Sequence, residues 1–111
     1  MNSRQKGKRG ELELAKVLRS LGYEEARRGQ QYSGANGDAD VVGVPGLHIE
    51  CKRVESLNVE AALKQAESDA PGGQIPVVMH RKNGDGWKVT LRLETFIRIY
   101  QVLHPGKKGA R

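Results

Sequence analysis

Apolar residues recur at helical spacing near the start of the chain and at strand spacing further along. Four of them share one face of a helix: Leu14, Val17, Leu18 and Leu21. They predict a first helix from about Arg9 to Leu21. Gly22 follows as its C-terminal cap, because glycine accepts the left-handed conformation that ends many helices.

The remaining apolar segments are short and separated by turn residues. They predict strands over residues 23–28, 40–44, 47–53, 75–80 and 87–91, and helices over 59–69 and 93–104. Asn58 or Ser56 is the expected N-cap of the middle helix, and Pro105 ends the last one. The order α-β-β-β-α-β-β-α indicates the α/β (α+β) class, a mixed sheet flanked by helices.

Length and charge limit the functions to consider. The chain has 111 residues and a net charge of +6, which fit one domain and favour a polyanionic partner. We expect residues 1–8 to form a flexible basic arm, 9–104 the domain and 105–111 a basic tail. Neither a signal peptide nor an apolar run of roughly 20 residues is evident, so no membrane partner is expected. The single cysteine, Cys51, excludes an internal disulfide and fits the cytoplasm.

Two acids and a lysine are the strongest chemical signal. Asp40 precedes one predicted strand, and Glu50-Cys51-Lys52 closes the next. Side chains on a strand alternate between faces, so Glu50 and Lys52 share a face and Cys51 points away.

The loop between these two strands decides which residues face each other. A three-residue loop over 44–46 places Asp40 opposite Glu50, whereas a two-residue loop places it opposite Cys51. The residue before a proline favours an extended backbone and glycine suits the bend. We therefore favour the first register.

Two neighbouring carboxylates repel, and a divalent cation relieves that repulsion. Mg²⁺ prefers oxygen ligands and often needs only one or two carboxylates, so Asp40 and Glu50 are candidate ligands together with the main-chain carbonyl of Cys51. Mn²⁺ would substitute. Lys52 could hold a water or stabilise charge on a phosphate, and Glu11 could reach the ion from the first helix, directly or through a water.

Each of these residues also has a simpler interpretation. Glu50 and Lys52 could form an ordinary salt bridge, Asp40 could be a turn residue, and Glu11 could be an exposed acid at a helix start. Asp38 is the rival of Asp40 for the metal. Spacings typical of calcium loops, zinc sites, phosphate-binding loops and acyl-transfer triads are missing from the sequence.

Asp40 followed by Glu50-Cys51-Lys52 resembles the motif of the PD-(D/E)XK nuclease superfamily, with Ala39 where the pattern has proline. Other segments between residues 8 and about 70 are similar to archaeal Holliday junction resolvases and to small phage-encoded relatives. These segments are Lys8-Arg9-Gly10-Glu11, Arg27-Arg28, Ser33-Gly34 and Gln65.

The resemblance implies a restriction-endonuclease-like fold and a metal-dependent, structure-selective DNA endonuclease, foremost a Holliday junction resolvase. It implies metal binding by Asp40 and Glu50, catalysis by Lys52, an accessory ligand in Glu11 and an orienting role for Gln65. Resolvases of this type act as two-fold dimers, so a homodimer is implied. The last helix could supply its interface or belong to the core.

DNA contacts are expected from the basic and polar residues around the acids. These residues are Arg4, Lys6, Lys8, Arg9, Arg27, Arg28, Ser33 and Arg53, and Tyr32 could stack on a base. Two alternatives remain open: a nuclease with the same site acting on flaps, nicks or duplex DNA, and an inactive module that binds nucleic acid.

Overall fold

The computed structural model describes residues 3–29 and 39–107. Helices and strands follow one another in the predicted order. They are α1 (Ser3–Ser20), β1 (Arg27–Arg28), β2 (Val41–Val42), β3 (Leu47–Arg53), α2 (Val59–Asp69), β4 (Ile75–Arg81), β5 (Lys88–Thr90) and α3 (Leu93–Leu103). The predicted fold class, a mixed α and β domain, is confirmed.

The described strands form one sheet in the order β1-β2-β3-β4-β5. The β3–β4 pair is parallel and is connected through α2, and the other neighbouring pairs are antiparallel. Val41 pairs with Ile49, which is the pairing that a three-residue loop produces. The favoured register of the β2–β3 hairpin is therefore confirmed at this position.

The start of α1 differs from the prediction, whereas the predicted Gly22 cap at its end is confirmed. The helix begins at Ser3 rather than near Arg9, because lysine, arginine and glutamine are good helix formers and no proline interrupts them. At the other end Gly22 adopts φ 111°, and the N–H of Tyr23 donates to the Leu18 carbonyl. This cap uses residues that had been assigned to the first strand, so β1 keeps only Arg27 and Arg28.

The two faces of the sheet carry different helices. Packed with α1 is a buried cluster that includes Leu14, Val41, Ile49, Cys51 and Val77. A second cluster joins α2 to the sheet through Ala62, Leu63, Ala66 and Val78. Neighbouring residues on a strand point to opposite faces, so α1 and α2 lie on opposite sides of the sheet.

The middle helix has the cap that the sequence predicts, because the Asn58 side chain accepts a hydrogen bond from the N–H of Ala61. The last helix, by contrast, contributes no buried residue, so it is not part of the core. Among the described residues no helix is long and apolar enough to cross a bilayer.

Candidate active site

Asp40 lies where β2 begins, and two hydrogen bonds tie it to β3. Its N–H donates to the carbonyl of Ile49 at 2.9 Å, and its carboxylate oxygen Oδ2 accepts from the N–H of Cys51 at 2.8 Å. In a strand the N–H and C=O of one residue point the same way. The carbonyl of Cys51 therefore also points toward the side of β3 that carries the Asp40 carboxylate.

Glu50 is a carboxylate in a poorly solvated position. Its side chain is 12% exposed, and the ammonium Nζ of Lys52 lies 3.7 Å from its carboxylate. Burial above all, with smaller contributions from the charges of Asp40 and Asp69, raises the pKa of Glu50 to about 7, although Lys52 acts in the opposite direction. The protein thus holds Glu50 beside a second acid although neither burial nor that neighbour favours its charged form.

Glu11 reaches the same group of charges from α1. Its side chain is buried and accepts a 2.9 Å hydrogen bond from Nε of Arg28. Burial raises the pKa of Glu11 in spite of Arg28, and the charges of Asp40 and Lys52 also act on it. Glu11 is therefore not the exposed acid of the simpler interpretation, and Arg28 fixes the position of its carboxylate.

Gly10 explains how α1 comes so close to β3. A Cβ added at Gly10 would lie 2.5 Å from the Cβ of Arg53, a separation that real side chains do not reach. The glycine that precedes Glu11 is thus a packing requirement, since any side chain there would push the helix away from the strand.

The side chain of Cys51 faces the opposite way from the acids. It is buried in the cluster beneath α1, and burial and the surrounding carboxylates raise the pKa of its thiol. A buried neutral thiol is neither a nucleophile nor a metal ligand, so only the main-chain carbonyl of Cys51 belongs to the candidate site.

Sequence reasoning missed Asp69. This residue ends α2, and its charge contributes to the raised pKa of Glu50. Gln65 donates a 2.7 Å hydrogen bond to the Asp69 carboxylate, so the predicted orienting residue contacts an acid of its own helix. The spacing of four residues between Gln65 and Asp69 was the available signal, because such pairs meet on a helix surface.

Most of the arginines nearest the acids are already paired. Arg28 binds Glu11, and Arg53, which is 17% exposed, forms ion pairs with Glu13 and Glu55. Arg27 is exposed, and its guanidinium donates to the main-chain carbonyl of Glu25 at 2.8 Å. Lys8 and Arg9 are exposed on α1.

Several predicted residues lie outside the described part of the structure. These are Tyr32, Ser33, Gly34 and Asp38, together with the side chains of Arg4 and Lys6. The choice between Asp38 and Asp40 therefore stays a prediction.

The potential metal ligands at and around Asp40 are of the type that a hard cation prefers. They are oxygen atoms of two carboxylates and one main-chain carbonyl, and Mg²⁺ usually completes such a set with water. Within residues 3–29 and 39–107, no three His, Cys, Asp or Glu side chains are grouped closely enough to hold a metal. Glu11 consequently does not complete a three-side-chain site with Asp40 and Glu50, and it would act through a water.

A cavity of about 470 Å³ lies at the other end of β3, around the Pro45-Gly46 turn. It is lined mainly by apolar and backbone atoms and contains none of the predicted site residues. His48 contributes to its wall, and its buried Nε2 atom has no hydrogen-bond partner within residues 3–29 and 39–107. Glu25 is the acidic residue of its lining, so the cavity does not present the pair of acids that Asp40 and Glu50 form.

Comparisons of the chain with protein-family models, with curated proteins and with solved structures gave no match. The resemblance to the nuclease superfamily therefore stays a prediction from the motif.

Proposed function

We propose that this protein is a Mg²⁺-dependent DNA endonuclease of the PD-(D/E)XK type that acts on branched DNA, foremost on four-way junctions. One observation carries the proposal. The Asp40 carboxylate is held on the Cys51 N–H beside Glu50, whose pKa is about 7, with Lys52 at 3.7 Å from Glu50. Two neighbouring acids beside an ammonium group are the arrangement that a metal-dependent phosphodiesterase uses. As a purely structural feature they would destabilise the fold, because the two carboxylates repel each other.

The cation would be held by Asp40, by Glu50 and by the carbonyl of Cys51, with Glu11 behind a water. When bound, Mg²⁺ supplies charge neutralisation at the scissile phosphate and lowers the pKa of a water. Mn²⁺ would take the same oxygen ligands.

Lys52 is the proposed catalytic side chain, and it would add a positive charge to that of the metal ion. Its side chain is 38% exposed, so its ammonium can reach a phosphate that docks on the protein surface. There it would stabilise the negative charge that develops during hydrolysis, and it would orient the attacking water.

Arg28 has a positioning role in this proposal. Its guanidinium bonds to the buried Glu11 carboxylate at 2.9 Å, which fixes the position of that carboxylate and opposes the rise in its pKa that burial causes. The exposed residues Lys8, Arg9 and Arg27 would bind phosphates of the DNA backbone, an interaction that weakens with salt.

The choice of branched DNA rests on the resemblance between residues 8 and 70, as does the homodimer that would place two sites on one junction. DNA as substrate and one buried, unpaired cysteine favour the cytoplasm of a bacterial or phage-infected cell.

Cleavage of end-labelled four-way junction, flap and linear duplex, each with Mg²⁺ and with EDTA, tests the proposal. We expect paired symmetric incisions in the junction, with Mg²⁺ only. Asp40→Asn keeps an oxygen that can accept from the Cys51 N–H but loses the charge. Its cleavage should fall by at least about 100-fold, since metal-ion catalysis supplies several kcal/mol, while DNA binding changes little.

Glu24→Gln is the matched control, because Glu24 is an exposed acid in the turn before β1. Its cleavage should equal that of the wild type. Full activity of Asp40→Asn, or equal activity in EDTA, would overturn the proposal. Cutting of all three DNAs would indicate a general nuclease, and binding without cutting would indicate a DNA-binding module.

A further inference from the structure

The cavity around the Pro45-Gly46 turn borders the proposed active site along two strands. His48 lines the cavity, and side chains two positions apart on a strand share a face at a spacing of roughly 6.5–7 Å. His48 is therefore the neighbour of Glu50 on one face of β3. Ala39 also lines the cavity and directly precedes Asp40. A molecule that binds at the two acids can thus extend into the cavity.

The cavity has a buried floor and an exposed rim. Among its lining residues Ala39, Val44 and His48 are buried, whereas Pro71 and Gln74 are exposed, so it opens to the solvent. Its volume of about 470 Å³ lies within the range of about 300–1,000 Å³ that is usual for small-molecule pockets. A single nucleobase is smaller than this volume.

The backbone fixes the shape of one wall. Gly43 has φ 96°, and a Cβ added there would overlap the carbonyl oxygen of Glu25. Both residues line the cavity, and Pro45 restricts the backbone of the adjoining turn. The cavity is therefore formed before any ligand binds, which lowers the cost of binding.

The imidazole of His48 has an unused hydrogen-bonding atom. The residue is 1% exposed, and its buried Nε2 atom has no hydrogen-bond partner among the described residues. Buried polar atoms nearly always have a partner, and an imidazole nitrogen can donate or accept. The edges of nucleobases carry both donors and acceptors. A base can therefore satisfy this nitrogen in either tautomer of His48.

The charges around the cavity argue against a phosphate as its occupant. Within the described part of the chain its lining contains no lysine or arginine, and Glu25 contributes an exposed acid. A basic residue lies just outside, because the exposed Arg27 donates to the Glu25 carbonyl at 2.8 Å. These charges favour an uncharged base inside the cavity and the phosphates of the same strand outside it.

We propose that this cavity binds an unstacked base of the DNA, next to the phosphate that is cut, and that His48 bonds to the edge of that base. The inference rests on the proposed function for the position of the phosphate. Removal of a base from a duplex costs free energy, and the cost is lowest for a base that is already unpaired. The cavity therefore favours DNA with an unpaired base, which gives a small domain a means to select branched DNA over duplex.

Binding measured in EDTA tests the inference without cleavage. The probes are a duplex with one unpaired 2-aminopurine, the same duplex with an abasic residue at that position, and a fully paired duplex. The fluorescence of 2-aminopurine rises when the base leaves the stack. We expect the wild type to raise the fluorescence of the unpaired probe, and to bind this DNA about tenfold more tightly than the abasic DNA.

Substitutions in the cavity should change this preference. His48→Leu keeps a buried side chain of similar volume but loses the hydrogen bond, so it should bind the unpaired probe about tenfold more weakly and the abasic DNA like the wild type. His48→Gln should recover part of the affinity, since an amide both donates and accepts. Val42→Phe, at a partly exposed position of the lining, should block the base and abolish the preference.

His104→Leu is the matched control. His104 is an exposed histidine that does not line the cavity, so its replacement should leave both affinities unchanged. Thermal melting of each variant shows that it is folded.

Three results would overturn this inference: equal affinity of the wild type for the unpaired and abasic DNAs, an equal loss of affinity for both DNAs in His48→Leu, or an unchanged preference in Val42→Phe. Cleavage is measured separately, with Mg²⁺. A protein that prefers the unpaired base but cuts no DNA refutes only the nuclease, and a protein that cuts junctions without this preference refutes only the base-binding cavity.

Discussion

Glu50→Gln should stabilise the metal-free protein at alkaline pH. Glu50 titrates with a pKa of about 7 rather than 4.5, chiefly because burial disfavours its charge and secondly because Asp40 repels it. Glutamine has nearly the same shape and no charge. The substitution therefore removes the cost of ionising residue 50 inside the folded protein while it keeps the packing.

The raised pKa sets the size of this effect and its pH range. Because the folded-state pKa lies above the unfolded one, protonated Glu50 favours the folded state. That contribution is fully present below pH 4.5 and is lost as the pH rises through 7. At about 1.4 kcal/mol per unit of pKa, ionisation costs the folded state about 3 kcal/mol, because the Glu50 side chain is only 12% exposed.

Thermal unfolding in EDTA, followed by circular dichroism from pH 4.5 to 8, measures the difference. Glu50→Gln should melt with the wild type at pH 4.5 and about 10 °C above it at pH 8. Mg²⁺ at pH 8 should raise the melting temperature of the wild type and not that of Glu50→Gln. The exposed control Glu24→Gln should follow the wild type at every pH. A difference that is the same at pH 4.5 and pH 8 would refute the burial of this carboxylate.

Two further substitutions test local packing through paired variants. Gly10→Ala should lower the melting temperature and weaken cleavage, because its Cβ would lie 2.5 Å from the Cβ of Arg53. Gly7→Ala meets no atom within 4 Å and should instead stabilise α1 by about 0.5–1 kcal/mol; equal effects at both glycines would contradict the close approach of α1 and β3. Asn58→Ala should lower the free energy of unfolding in urea by about 1 kcal/mol, because the N-cap hydrogen bond is lost, whereas Ser56→Ala should leave it unchanged. A larger loss in Ser56→Ala than in Asn58→Ala would contradict the assignment of Asn58 as the N-cap.

Elements with strong local signals were predicted well. The bounds of β3 and α2 are those expected from the sequence. The Pro45-Gly46 turn limits the loop length, and loop length sets the register at Val41. Here the chemistry of a few neighbouring residues determined the structure, and long-range contacts added nothing that conflicted with it.

Contacts between distant segments were the part that the sequence did not reveal. Gly43 has φ 96°, and an added Cβ would lie 2.1 Å from the carbonyl oxygen of Glu25. Such close backbone packing leaves no room for a side chain at residue 43, and the spacing of apolar residues along the sequence does not predict it. The sequence did not predict that Arg28 bonds to Glu11, which lies 17 positions earlier, and the contact of Arg28 with DNA stays a prediction. The sequence around a basic residue does not reveal whether its partner is a phosphate or a carboxylate.

Helix α3 shows why periodicity alone does not reveal whether the apolar side of a helix is buried. Leu14 and Leu18 on α1 recur at the same spacing as Phe96 and Tyr100 on α3, yet the first two are buried and the second two are 46–47% exposed. The spacing of apolar residues predicts that a helix has an apolar side. Whether that side is buried depends on a second surface that packs against it. For α1 the sheet is that surface. Among the residues that the structure describes, α3 has no such surface, and none of its residues is buried.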